Sequence, residues 1–315
     1  MKVLEKMLAG WLLLLPLAGW AAEPQVVASI KPVHSLVAGV MQGVGEPLLL
    51  VPGGASPHDY SLRPSDARAI SQAQLVFWIG PELESFLVKP LNNAKGQVRA
   101  VALLDAPGVM TLPLREGGVW ESHSHDHEES GQPPADSHDH HEASHDAHLW
   151  LDPVNAAALV KQIVATLSEV DPAHRADYER NGAVLTKRLE RLNQQLAVEL
   201  EPVKTQPYIV FHDAYQYFER RYGLNGVGSV VLNPEQRSGA KRVAEIQARI
   251  RELNVRCVFS EPQFQPTLVE TVIAGSNARR GILDPEGAEL PAGPDAYFQL
   301  LQNLSSALRT CLSDN

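Results

Sequence analysis

Basic side chains are scarce in this chain of 315 residues: 27 Lys and Arg face 37 Asp and Glu, for a formal charge of −10. That balance excludes nucleic acid as a partner, because its binders need basic stripes to displace counterions. No basic amphipathic stretch points to a membrane surface. After the amino terminus no run reaches about 18 apolar residues, so no later segment reads as a bilayer span. Only two cysteines are present, Cys257 and Cys311, and neither lies near the amino terminus, which argues against a lipid-anchored export form. No HExxH motif occurs, so the commonest helical scaffold for a zinc-dependent hydrolase is missing.

What is present is the composition of a soluble globular protein, 44% hydrophobic and 20% charged. The length exceeds one ordinary compact core and predicts two domains. The negative charge is unevenly placed. Residues 116–146 hold nine acids (Glu116, Glu121, Asp126, Glu128, Glu129, Asp136, Asp139, Glu142 and Asp146) and no Lys or Arg, leaving the other residues nearly neutral. The same stretch holds seven of the twelve histidines: His123, His125, His127, His138, His140, His141 and His145.

The first 21 residues read as a cleavable signal peptide. Lys2 and Lys6 supply the positive region, Trp11 to Leu17 the short apolar region, and Gly19 and Ala21 the small residues before the cleaved bond. Export places the two cysteines in an oxidising compartment, where a disulfide and a pair of buried thiols are both open readings. A bridge would staple the last helix to the strand-like run Val255 to Phe259 and stabilise the fold by about 4 kcal/mol on a chain-entropy argument.

The remaining chain reads as α/β. Val26 to Lys31, Pro47 to Val51 and Leu75 to Ile79 are strand-like, with helical patterns at Val33 to Met41 and Ala67 to Gln72 between them. The second half repeats this grammar. Strands are expected at Tyr208 to Phe211, Gly228 to Leu232, Arg256 to Ser260 and Gly281 to Leu283, and helices at Ala214 to Tyr222, Lys241 to Leu253, Pro266 to Arg279 and Tyr297 to Leu312. Such alternation predicts a parallel sheet in each half, joined by right-handed crossovers. Between the halves, Leu185, Leu189, Leu192, Leu196 and Leu200 form one apolar stripe on a helix starting near Asp171-Pro172, about 45 Å long. A rigid rod in place of a Gly/Ser hinge limits lobe motion. The organisation expected is therefore a signal peptide at 1–21, an N-terminal lobe at 22–170 containing a disordered acidic His-rich loop at 117–147, a linking helix at 171–201 and a C-terminal lobe at 202–315. The run HLWLD (148–152) reads as a strand resuming after the loop, followed by a helix from Val154 to Val170.

Outside the loop five histidines remain: His34, His58, His148, His174 and His212. His34 and His174 suit a helix surface or a cap. His58 lies in a Gly/Pro loop after an early strand, His148 opens HLWLDP and His212 follows the strand YIVF directly. In open parallel sheets ligands bind beyond the carboxyl ends of the strands, which places these three in one cleft. Three neutral imidazoles suit Zn²⁺. Asp284, in LDPEG, is a candidate fourth ligand or a turn residue before Pro285, and a water could also complete the shell. Asp59 adjoins His58, but its side chain points away in an extended loop. The insertion HSHDHEES…SHDHHEASHDAH alternates imidazoles with carboxylates and forms many weak cation sites.

The stretches ASIKPVHSLV, GGASPHDYSLRPSDA, DAHLWLDPVNA, VFHDAYQYFERRYGL, CVFSEPQFQPTLVE and GILDPEG resemble the periplasmic zinc-binding proteins of ABC importers, a metal-binding cluster of solute-binding proteins. The resemblance covers nearly all of the mature chain. It implies two α/β lobes on a long backbone helix, with the metal in the cleft on His58, His148 and His212. Manganese-binding relatives have a carboxylate at the third position, so His212 implies zinc. Asp284 matches an acid that ligates manganese and less regularly zinc. Pro57 stands where some zinc members carry a further Glu ligand, which leaves the fourth position open. The resemblance also implies a Cys257–Cys311 disulfide and an inner-membrane permease, with its ATPase, as partners.

Three functions are thereby in contention. The first is a monomeric periplasmic carrier that captures Zn²⁺ and delivers it to an importer without catalysing a reaction. The second is a zinc hydrolase, for which Glu261 is the one candidate base. The third is a metal buffer with no transporter, against which the two intact lobes argue.

Overall fold

Short apolar runs become strands, and the four strands of each half make one parallel sheet. The protein is described here from a computed structural model covering residues 23–115, 120, 145–231 and 239–313. The segment expected to be a signal peptide and six of the seven insertion histidines lie outside the described residues. The N-terminal lobe contains β1 (Val26–Ala28), α1 (Lys31–Met41), β2 (Leu48–Leu49), α2 (Pro64–Gln72), β3 (Leu75–Trp78), α3 (Ser85–Asn93) and β4 (Arg99–Ala102). After the insertion come α4 (Pro153–Val170) and α5 (Arg175–Leu200). The C-terminal lobe contains β5 (Tyr208–Val210), α6 (Gln216–Tyr222), β6 (Gly226–Ser229), α7 (Ala240–Glu252), β7 (Cys257–Ser260), α8 (Thr267–Ile273), β8 (Arg279–Ile282) and α9 (Ala296–Leu312).

The two sheets have the same order, β2-β1-β3-β4 and β6-β5-β7-β8, with every pairing parallel. The repeated grammar of the two halves is thus a repeated topology. Elements α3 and β4 were not legible in the sequence. Pro90 sits inside the nine-residue α3 and breaks its pattern, and β4 is an edge strand with Arg99 and Ala100 exposed. The helix expected over Pro266 to Arg279 ends at Ile273, because Gly275 takes a left-handed φ of 73°.

HLWLD is not a strand. Leu149–Leu151 form a single 3-10 turn, all three buried, which delivers the chain to α4. Asp152 caps α4, its Oδ1 accepting from Val154 N at 2.8 Å, and Pro153 takes the first turn, where no N–H is needed. The linking segment is helical from Pro172 to Val203, but α5 proper starts at Arg175 after a separate 3-10 turn, Pro172–His174. Its 26 residues span about 39 Å. Leu185, Leu189, Leu192, Leu196 and Leu200 are all buried, so the stripe faces inward as expected. Gly182 lets α5 approach α4: a Cβ there would lie 2.4 Å from Val164 Cγ2.

The lobes do not have separate cores. One buried cluster runs from Val26, Ile30 and Leu36 through Trp150 and the α5 leucines to Tyr208, Tyr297 and Leu312. Two smaller clusters fill the outer face of each sheet, one around Val27, Val76 and Leu87 and the other around Ile209, Val258 and Ile246. The C-terminal helix reaches back across the molecule. Tyr297 N donates to Ser35 Oγ at 2.9 Å, and its hydroxyl donates to Trp150 O at 2.7 Å. Lys31 Nζ, at the start of α1, donates to the carbonyls of Ala288 and Leu290 in the loop after β8. Cys257 of β7 and Cys311 of α9 form a disulfide, stapling the last helix to the second sheet.

Candidate metal centre

Each histidine of the expected trio arrives by a different route. His58 lies in the loop after β2, where it is half-buried, and its N–H donates to Ser56 Oγ at 3.3 Å. His148 immediately precedes the 3-10 turn of residues 149–151. His212 lies two residues beyond β5, in a turn closed by Ala214 N donating to His212 O at 2.9 Å. The latter two are buried, at 6% and 5% exposure. Their rings form a near-equilateral triangle, with centroids 5.2, 5.2 and 5.6 Å apart.

His148 Nε2 is 3.2 Å from His58 Nε2 and 3.3 Å from His212 Nε2. One ligand atom from each of the three lies within 4.8 Å of the other two. Two nitrogens bound to a tetrahedral ion at about 2.0–2.1 Å stand about 3.3 Å apart, so the observed spacing fits a single small cation. Among the described residues this is the one group of His, Cys, Asp or Glu with such convergence.

The far sides of two rings are held by carboxylates. His148 Nδ1 meets Asp146 Oδ1 at 2.8 Å, and the same oxygen accepts the His148 N–H at 2.9 Å. His212 Nδ1 meets Glu261 Oε1 at 2.8 Å, an oxygen that Tyr215 OH also approaches at 3.3 Å. A carboxylate at Nδ1 selects the tautomer whose Nε2 lone pair faces the cluster and raises its basicity. Asp146 stood at the end of an acidic run, so sequence reasoning counted it with the insertion. The spacing D-x-H was the available signal. Glu261, the candidate base of a hydrolase or a structural acid by sequence, instead orients His212 across 49 residues of sequence.

Asp284 does not join the three rings. Its Oδ1 accepts from the N–H groups of Glu286 and Gly287 at 3.0 and 2.9 Å and from Gln263 Nε2 at 3.2 Å. Its Oδ2 accepts from Ala288 N at 2.6 Å. The carboxylate therefore organises its own loop, the turn role the sequence left open. His34 is buried rather than on a helix surface, its Nε2 3.0 Å from Pro47 O. His174 occupies the N-cap position of α5, but its side chain caps no backbone group; its Nδ1 lies 2.6 Å from Asp171 Oδ2. Of the insertion histidines, His145 is among the described residues: it pairs with Pro113 in an antiparallel bridge, and its Nδ1 lies 3.8 Å from Glu82 Oε1.

Burial pushes His58 and His148 well below the usual imidazole range, and each neighbouring imidazolium would push further. Burial also acts on His212, but the charge and hydrogen bond of Glu261, aided by Asp213 and Asp146, outweigh it and raise this ring. Burial raises the Asp146 carboxyl to about 7.

Comparison with known proteins follows the same line. The model of the family described as "Zinc-uptake complex component A periplasmic" matches residues 26–311. The chain is 48% identical over 311 residues to the high-affinity zinc uptake system protein ZnuA of Brucella suis, covering 91% of each chain. It is 38% identical to the protein of the same name from Yersinia pestis, covering 92% of each. A crystal structure of ZnuA superposes with a TM-score of 0.76 at 26% identity, over 93% of this chain and 100% of that one. A zinc-bound ZnuA mutant lacking its residues 138–173 gives 0.75 at 26% identity, with the same coverage.

Two outcomes are expected of the carboxylates and the rings. Asp146→Ala and Glu261→Ala should each weaken Zn²⁺ binding by about 10–100-fold in chelator competition, and unchanged affinity would remove their orienting role. The pH dependence should carry the signature of fewer than three protons. His58 and His148 are already neutral above 6.5, whereas His212 gains its proton above that value as pH falls, and metal must displace it. Asp146, raised to about 7 and bonded to His148, takes up a proton in the same range. Below the raised range of His212, log affinity should fall by about one to two per pH unit; a slope near three would mean that all three rings titrate together.

Proposed function

The chain belongs to the ZnuA family of periplasmic zinc-uptake components, and on that premise we propose that His58, His148 and His212 are the protein ligands of its cargo ion. It is a high-affinity periplasmic zinc-binding component of an ABC uptake system, a transport component and not an enzyme. Its partners are the permease and ATPase of that system.

The observation that carries the ligand assignment is the spacing of the three Nε2 atoms, 3.2 and 3.3 Å along the two edges that meet at His148. Neutral nitrogens at that spacing, drawn from both lobes, suit a borderline ion with a tetrahedral preference, and the all-imidazole set favours zinc over manganese. Asp146 and Glu261 each bond the Nδ1 of a ring, on the side away from the cluster, which suits them to orienting the ligands rather than to activating a water at the ion. Asp284 is held by its own loop, so the fourth position goes to a water or to Asp284 after that loop lets go. The remaining parts of this reading are a signal peptide cleaved after Ala21, a monomeric carrier, and a His-rich insertion that gathers Zn²⁺ weakly and raises its concentration near the cleft.

Competition between Zn²⁺ and Mn²⁺ tests the ligand set. The wild type should prefer Zn²⁺, and His212→Glu should narrow the preference by shifting the set toward oxygen donors. Equal affinity of the wild type for both ions would overturn it. Division of labour with the insertion is tested by deleting residues 121–144 and titrating Zn²⁺ calorimetrically. The tight site should survive and the weak sites disappear. The cut stops short of Asp146, because removing that residue would release His148 as well.

A further inference from the structure

Arg115 stands at the N-terminal root of the insertion and reaches across the cleft to the segment that carries His212. Its Nε donates to Asp213 Oδ1 and Oδ2 at 3.0 and 2.9 Å, and Nη2 also contacts Oδ1. Its Nη1 donates to Glu219 Oε2 at 2.6 Å. The guanidinium lies over the ring of Trp120, 3.6 Å from its centroid. The cluster is sheltered, with side chains 18% exposed for Arg115, 22% for Asp213 and 5% for Glu219. Screening is therefore weak and the geometry forked, the circumstances in which an Arg–carboxylate pair fixes position.

Asp213 is the residue after His212, inside the tight turn between β5 and α6. Holding its carboxylate from the other lobe fixes the peptide that carries the ligand. A second tie lies beside the first. Tyr217 of α6 accepts from Leu112 N at 2.9 Å and donates to Asp146 O at 2.7 Å, and Asp146 orients His148. Both roots of the insertion are thus fastened to α6, the helix that follows His212. Arg221 makes another cross-lobe pair from the same helix, with Asp152 at 2.8 and 2.6 Å, but neither residue adjoins a ligand.

We propose that Arg115 is a positioning residue: through Asp213 it holds His212 in register with His58 and His148 and so sets how fast the ion leaves. The proposal rests on the assignment of these three histidines as ligands. Differences in affinity among variants of one site reside mostly in the dissociation rate, so release is the quantity to measure.

The experiment is stopped-flow release of Zn²⁺ from the full chain into excess chelator, with binding stoichiometry measured in parallel. Arg115→Gln and Asp213→Asn should each speed release by about tenfold while tight-site stoichiometry stays at one per chain. The double variant should be no faster than the faster single, because the pair acts as a unit. Arg221→Lys, which alters the other cross-lobe pair, should release at the wild-type rate. Asp213→Asn keeps the Arg115–Glu219 pair, so it decides the matter if Arg115→Gln does not fold. A wild-type release rate in Asp213→Asn, or rate effects that multiply in the double variant, would overturn the proposal. Failure of the ligand assignment reads differently: the tight site would persist in His148→Ala.

Discussion

Three imidazole nitrogens facing one another in a cleft repel through their lone pairs, and burial denies His58 and His148 the protons that would otherwise fill the space. That constraint shapes the rest of the molecule. The rings stay in place because each is held from behind or from its own backbone: His148 by Asp146, His212 by Glu261, and His58 by a loop turned at Ser56. Charge is placed on the far side of the rings, where it strengthens the nitrogen donors without entering the cluster. A dication satisfies the lone pairs and the distal carboxylates together, which a proton on any one ring cannot do.

The constraint also requires that two lobes hold register, because His58 and His148 come from one and His212 from the other. A hinge between independent cores would not supply it. Here the apolar interior is continuous through α5 and α9, with Leu196, Tyr297 and Trp150 all fully buried. Swinging the lobes widely apart would expose that interior at roughly 25 cal/mol per Å² of apolar surface. The cheaper degrees of freedom lie at the cleft surface, in the loop of the half-buried His58 and in the polar ties around Arg115. Polar ties of that sort exchange with water at far lower cost than core contacts do.

Much of this was legible in sequence, and the exceptions have physical causes. Runs such as VVA, LVFW and CVFS read as strands because both faces of a parallel sheet are covered. The α5 stripe read as one face because leucines recur at three and four residues. HLWLD misled, since a run buried all round has no periodicity to separate a strand from a 3-10 turn. His58, His148 and His212 could be singled out by their places beside loops and strand ends, and the family resemblance set the trio apart. Glu261 and Arg115 could not, because their roles exist only through partners 49 and 98 residues away.

Asp146 shows where a compositional reading reaches its limit. By sequence it is the last of nine acids in a run without a basic residue, and composition assigns it to a cation-attracting tract, with only its spacing from His148 to set it apart. Folded, it is 1% exposed, bonded to the ring and the backbone of His148, and its backbone carbonyl is bound by Tyr217. The other eight acids of that run can act on cations by long-range attraction, which is screened by salt and indifferent to ion type. Asp146 acts through one imidazole, at short range, on whichever ion that ring binds. Attraction and selection therefore meet within a single continuous run of charge, and Asp146 is set apart in it by its burial and its bond to His148 rather than by composition. Moving the end of a deletion by two residues, from 146 to 144, changes which part of the protein it would test.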